Sequence, residues 1–542
     1  SVPHALMMLV PEAWEEGSDL SDGRHAFSAY HAGLIEPWDG PAALGFSDGV
    51  VAGAALDRNG LRPLRYAVTR DGLLIAGSEA GTVAVDPAEV VEKGRLGPGQ
   101  IILVDTQRGL VLRNDDLKDE VASGAPYAEW VGAGRFTIAP FAPDPEPQPS
   151  LAAEQAAPIR RPPDPTVVAR QRAFGYTAED LRLVVQPMAG EGKEPTWSMG
   201  DDAPLAVLSA KPRPLHAYFR QRFAQVTNPA IDSLRERAVM SLDVVVGRRG
   251  NLLTAGAGEH RLAHLPSVVL APGQLADLEA TGGGLPSARV SVCFPLPTDA
   301  DPAGSALLAA LDRVVAEAEG AVRAGASVIV LSDKDVDEAH AALPMVLAVG
   351  AVHHALIRAG LRSLADIVAE TGEVNDVHAL ACLIGYGASA VVPYLALEAA
   401  SALAGTRGHE GMGENTLHLN YLHSLEKGFL KVAAKMGIST AMGYRGAQVF
   451  ETIGLAPEVV ERAFAGTPAR LAGIGFAEIE TDLVHRHRDG FAEPNPAAKL
   501  PDLGFVRYRK EGEPHAYEPP MVKALQAAVT AGDREAYAAY RQ

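Results

Sequence analysis

Short apolar runs at residues 42–46, 50–56, 64–69 and 73–76 alternate with the polar triplets SDG, RNG and RDG. Each triplet ends in a glycine preceded by Asp or Asn, which supplies the positive φ of a tight hairpin turn. The pattern predicts a β-meander over 42–77. The run GQIILVDTQRGLVL at 99–112 predicts a further hairpin, so the first ~115 residues read as antiparallel β. Asn59-Gly60, within ALDRNGLRPLRY, admits two readings. It is a turn, or it is an oxyanion hole, in which an Asn amide and a Gly N–H hold a developing negative charge.

Beyond a proline-rich stretch at 139–165, read as an extended linker, the periodicity changes. A β-branched run at 288–293 precedes a helical stripe of Leu307, Leu308, Leu311, Val314, Val315, Ala318 and Val322. ASVIVLS (326–332) is a short apolar strand, followed by a helical run to Gly360. LADIVAE (364–370), a helix around 375–387 and ASAVVPYL (388–395) continue the alternation. Strands with helices between them predict right-handed βαβ units around a parallel sheet, open or closed into a barrel. The longest apolar run, 343–360, is interrupted by His353, His354 and Arg358, which makes it a buried helix rather than a membrane span. A last helix is expected at 521–532.

Composition narrows the function classes. The 542 residues suit three or so domains at roughly 100–200 residues each. A formal net charge of −19 argues against nucleic acid or an anionic membrane as partner. Two cysteines, Cys293 and Cys382, fit a reducing cytoplasm and fall short of the thiolates an iron–sulfur cluster takes. Both ends, SVPHALMMLVPEAW and the helix after 521, read as the interior of a longer chain.

Several constellations have a bland reading beside a chemical one. Asp333, Asp335 and Asp337 have EF-hand spacing, but Glu338 and Pro344 stand where that loop needs Gly and Glu, so a strand-to-helix loop is expected. His260 and His264 stand at i, i+4 without the glutamate of a zinc protease. His353 and His354 are adjacent and unable to chelate together on a helix. His485 and His487 read as a surface helix end. TGGGLPS (281–287) lacks the Lys of a P-loop, and the glycines of IGYGASAVV (384–392) suit a phosphate or close packing equally. Four polar-aromatic stretches, at 171–181, 193–209, 219–236 and 444–455, read as ordered loops whose purpose the residues alone do not give.

Those stretches carry a resemblance. SMGDDAPLAVLS, FAQVTNPAIDSLRERAVMSL, the run from VLAVGAVHH to VVPYL, and KMGISTAMGYRGAQVFETIGL resemble the central domain of the glutamate synthase large subunit. SVPHALMMLVPEAW, YHAGLIEPWDGPAA and LDRNGLRPLRY resemble the later part of its class II glutamine amidotransferase domain, and GFVRYRKEGEPHAYEPPMVKALQAAV resembles the start of its FMN-binding domain. The resemblance implies a multi-domain α/β chain. The C-terminal part of an Ntn-type amidotransferase sandwich (1–138), antiparallel β, is followed by a linker (139–165). A central domain resembling a degenerate (β/α) barrel (166–500) and the start of the FMN-binding domain (501–542) come next.

The family hydrolyses glutamine at an N-terminal cysteine. It channels the ammonia to an FMN and 3Fe-4S site, where 2-oxoglutarate is reductively aminated to glutamate. The implied partners are the rest of the large subunit and an NADPH/FAD-dependent small subunit, or ferredoxin as donor. The nucleophile and the family's HNG motif are absent from this sequence, so no catalytic, cofactor-binding or metal residue is assigned, and no cofactor is expected on this segment. What the resemblance assigns is ammonia-tunnel wall: Thr227 and Asn228 of QVTNP, with Ser198 and Met199 of SMGDD. It also decides Asn59-Gly60 for a register-fixing turn, with Arg58 and Arg62 left for ion pairs.

Overall fold

Two of the three Gly-terminated triplets make the expected hairpins. The computed structural model describes residues 1–14, 20–143, 164–196, 201–223, 229–254, 256, 261–492 and 499–541. Strands Ala43–Ser47 and Val51–Leu56 pair antiparallel around SDG, where Gly49 has φ 90° and Asp48 Oδ1 accepts from the Val50 and Val51 amides. Arg65–Thr69 and Leu74–Gly77 pair around RDG.

The middle triplet departs from the meander. Val51–Leu56 pairs next with Ile101–Asp105, and Arg65–Thr69 with Val90–Arg95, so RNG links two separate antiparallel sheets. The cause is local. The Asp57 carboxylate accepts from the backbone N–H groups of Ala42, Asn59, Leu61 and Arg62, at 2.8–3.3 Å, which turns the chain out of the first sheet. Pro63 then has no N–H to extend a ladder. Arg58 is buried and donates to Ser439 Oγ, whereas Arg62 is exposed. Helices Val2–Leu9, Asp22–Ala32 and Asn114–Ala122 cover one face of the first sheet around Leu6, Phe27, Tyr30, Ile101, Leu103 and Leu117.

The chain crosses early to the second body. Strand Arg135–Thr137 pairs in parallel with Arg261–Leu265, and Gln274 Nε2 donates to the Ala139 carbonyl. At the centre lie four parallel strands in consecutive order, Ser287–Ser291, Val328–Ser332, Asp366–Glu370 and Ala390–Val392. Helices Ser305–Arg323, Met345–Arg358 and Val377–Gly385 connect them. Val328–Ser332 and Asp366–Glu370 are buried along their whole length, packed against the connecting helices and the strand Val244–Arg248. Met345–Arg358 lies in that core; among the described residues no helix is long and apolar enough to cross a membrane.

His485 and His487 lie in the C-terminal half of the helix Phe476–Phe491; His485 is exposed, whereas His487 is buried. A 23-residue helix, Glu414–Met436, adds a long brace. Residues 501–515 stay on this body: Glu179 accepts from the Val506 and Arg507 amides, and His515 Nδ1 meets Asp202 at 2.9 Å.

Candidate functional site at the domain seam

The most site-like feature is a partly open cavity of about 60 Å³ between the two bodies. Met7, Met8, Trp14, His31, Ala32, Ile35 and Arg58 line it from the first body; Ser241, Asp243, Val244, Val245, His264, Thr440 and Met442 line it from the second. Sequence patterning could not find it, because its walls come from several stretches spread between Met7 and Met442 of a 542-residue chain.

On the first wall, His31 Nδ1 lies 2.8 Å from the Phe27 carbonyl, which fixes the proton on Nδ1. His31 Nε2 then accepts from His4 Nε2 at 3.0 Å, and burial lowers the His4 pKa below its ordinary value. On the second wall, His264 Nε2 pairs with Asp243 Oδ2 at 3.1 Å. His264 lies on the strand Arg261–Leu265 rather than on a helix, and its supposed co-ligand His260 lies outside the described residues.

The two bodies are joined beside the cavity by partly buried hydrogen bonds. Asp39 Oδ1 accepts from Asn59 Nδ2 (3.1 Å) and Ser439 Oγ (2.7 Å), and Asp39 Oδ2 from the Ser439 amide (2.8 Å). Arg58 donates to Ser439 Oγ from the other side. Asn59 is therefore occupied as a seam residue, and Gly60, at φ 64°, makes the bend that aims it there.

The other candidates resolve into scaffold. Asp333 is buried and accepts from Thr371 Oγ1 and the Gly372 amide, whereas Asp337 is exposed and binds the Ala339 and His340 amides, so the two share no cation. Among the described residues no group of three or more His, Cys, Asp or Glu is set to hold a metal. His353 Nδ1 accepts from Arg362 Nε, and burial together with that cation lowers its pKa to about 3. Arg445, from YRGAQVFETIGL, joins Arg249 and Arg362 on the buried carboxylate of Asp366 at the amino end of its strand. Burial opposes that charge, but the three guanidiniums hold the Asp366 carboxyl well below the usual carboxylate range.

The glycines of IGYGASAVV make room for side chains rather than for a phosphate: a Cβ at Gly385 would meet the Phe450 ring, and one at Gly387 the His353 ring. Among the described residues, no set of thiolates fits an iron–sulfur cluster. Cys293 and Cys382 are both free; burial raises the Cys382 thiol well above its ordinary value and the Cys293 thiol to about 12. The carboxyl ends of the parallel strands, where such sheets take ligands, present the buried carboxyl groups of Asp333 and Glu370. The tunnel residues expected from resemblance, Thr227, Asn228, Ser198 and Met199, lie outside the described residues.

Comparison with known proteins agrees with the two-body layout. The sequence model of the glutamate synthase central domain matches residues 169–456, and that of class-II glutamine amidotransferases matches residues 1–130. The chain is 46% identical to ferredoxin-dependent glutamate synthase 2 of Synechocystis sp., over 97% of this chain and 34% of that protein. It is 42% identical to the chloroplastic ferredoxin-dependent glutamate synthase of Oryza sativa subsp. japonica (100% and 33%). It is also 42% identical to the glutamate synthase [NADPH] large chain of Azospirillum brasilense (98% and 34%). The chain thus spans about a third of the length of these relatives. It belongs to the glutamate synthase family and carries sequence of both the class-II glutamine amidotransferase and the central domain.

Proposed function

We propose that this chain acts within a glutamate synthase large subunit as the scaffold that joins glutamine hydrolysis to glutamate synthesis, and that the seam cavity is part of the ammonia path. The cavity itself carries this reading: it is lined by both bodies and is of a size for one or two small molecules. Its walls suit neutral ammonia. Met7, Met8, Ile35, Val244 and Met442 form an apolar stretch of wall, the Asp243 carboxylate that also lines it is engaged by His264, and the cationic Arg58 and Arg135 disfavour a protonated guest. A closed path keeps ammonia from bulk water and at high effective concentration.

In this reading glutamine and water give glutamate and ammonia at a nucleophile that this chain does not supply. Ammonia then condenses with 2-oxoglutarate, and a two-electron reduction, by flavin and iron–sulfur chemistry elsewhere in the protein, completes the second glutamate. A small subunit or ferredoxin would deliver the electrons, in a reducing compartment such as the cytoplasm. Thr227, Asn228, Ser198 and Met199 stay proposed as tunnel wall. The proposed limits are 1–138, 139–165, 166–500 and 501–542. The consecutive order of the four parallel strands supports reading them as an arc of a degenerate (β/α) barrel.

Filling the cavity tests this. In the full-length enzyme, Ala32→Phe should cut glutamine-dependent glutamate synthesis about tenfold while synthesis from added ammonium persists. Retention of full glutamine-dependent synthesis would remove the cavity from the path.

A further inference from the structure

The seam hydrogen bonds are more than an adhesive between two bodies. Ser439 is fully buried and is followed directly by Thr440, with Met442 close behind; both line the cavity. Its carbonyl accepts from the Ser241 amide at 2.9 Å, and Ser241 lines the cavity too. The Ala441 amide returns a bond to the Ser241 carbonyl at 3.2 Å. Thr440 Oγ1 then accepts from the Gly443 amide, fixing the short turn that carries Met442. Three cavity-lining residues of the second body therefore hang on one serine.

That serine is held by the first body. Its amide and hydroxyl both donate to the Asp39 carboxylate, and Arg58 donates to the hydroxyl oxygen. Arg58 is set by the Asp57 turn, and Asn59 of the same turn donates to Asp39. A carboxylate bound to both an amide and a hydroxyl fixes position and orientation together, as a single contact does not.

We propose that Asp39 and Ser439 are positioning residues of the ammonia path: they fix the central-domain wall of the cavity against the amidotransferase wall. The clamp rests on the functional reading above. Losing it lets the two walls separate and leaks ammonia to water, without touching the chemistry at either end.

The test uses the full-length enzyme and measures 2-oxoglutarate consumed per glutamine hydrolysed, alongside each half-reaction alone. Ser439→Ala and Asp39→Ala should lower that ratio about threefold, while ammonium-driven synthesis and glutamine hydrolysis keep their rates. Asp39→Asn, which keeps the shape and one acceptor oxygen, should fall less than Asp39→Ala. Arg62→Met, in the same loop but with an exposed side chain, should leave the ratio unchanged.

An unchanged ratio in Ser439→Ala and Asp39→Ala overturns the proposal. So does a proportional loss of both half-reactions with a lowered unfolding midpoint, which makes the clamp structural only. If the unsubstituted enzyme itself shows no link between glutamine hydrolysis and 2-oxoglutarate consumption, the functional reading fails first and is told apart by that control.

Discussion

Asp333 shows how far a single residue can depart from its sequence pattern. By spacing it is the first ligand of a failed calcium loop; in the fold it is a fully buried carboxyl at the end of a parallel strand. Burial raises its pKa to about 8, against the hydrogen bonds from Thr371 and Gly372 that favour the charge. The folded state therefore holds a proton that the unfolded chain releases near its ordinary value. The resulting stability is present below the unfolded pKa and is lost as pH rises through about 8. Glu373, raised by burial to about 7, adds in the same direction. Asp333→Asn should flatten much of the fall in stability between mildly acidic and mildly alkaline pH, measured by denaturant unfolding at several pH values. A slope identical to wild type would show that Asp333 is ionised in the fold.

Among elements, the helices and strands of the second body were the most legible. Val328–Ser332, Asp366–Glu370 and Met345–Arg358 fall where apolar runs and their flanks put them. Of the stripe read on Ser305–Arg323, Leu307, Leu311, Val314, Ala318 and Val322 are buried, while Leu308 stays more than a third exposed. The helix Glu414–Met436 is not among the elements predicted from the sequence, although Leu417, Tyr421, Leu425 and Phe429 repeat every four residues on its buried face.

Glycine in the middle of a helix reads as a weakness, yet Gly350 in Met345–Arg358 is a close-contact point. A Cβ there would run into the Ala463 carbonyl of the neighbouring helix Pro457–Ala463. Gly350→Ala gains about 1 kcal/mol of helix propensity but loses about 1–3 kcal/mol to overpacking. Thermal unfolding should show net destabilisation; a raised melting temperature would mean the two helices separate freely.

At the scale of the whole molecule, the chain spans about a third of the length of its relatives and carries sequence of two of the family's domains. Both thiols lie in the second body with raised pKa values, and thiolate is the nucleophilic form. We therefore expect the purified 542-residue chain to release no glutamate from glutamine in a coupled dehydrogenase assay. Measurable release abolished by Cys293→Ser would place the nucleophile in this chain after all.

The sequence by itself determined the parts that depend on near neighbours. The SDG and RDG hairpins follow from φ > 0 at Gly49 and Gly72, and the βαβ alternation follows from periods of two and 3.6. Family membership follows from long ordered motifs. What only the tertiary structure decided are the long-range pairings. The RNG turn looked like its two neighbours, but Pro63 and the four backbone amides gathered by Asp57 send it between sheets. Asp39 and Ser439 stand 400 positions apart, and nothing local in either neighbourhood encodes the other. Local periodicity reports which face of an element is apolar; which elements share that face, and which polar groups meet where they do, is fixed by packing and the pairing of buried hydrogen bonds.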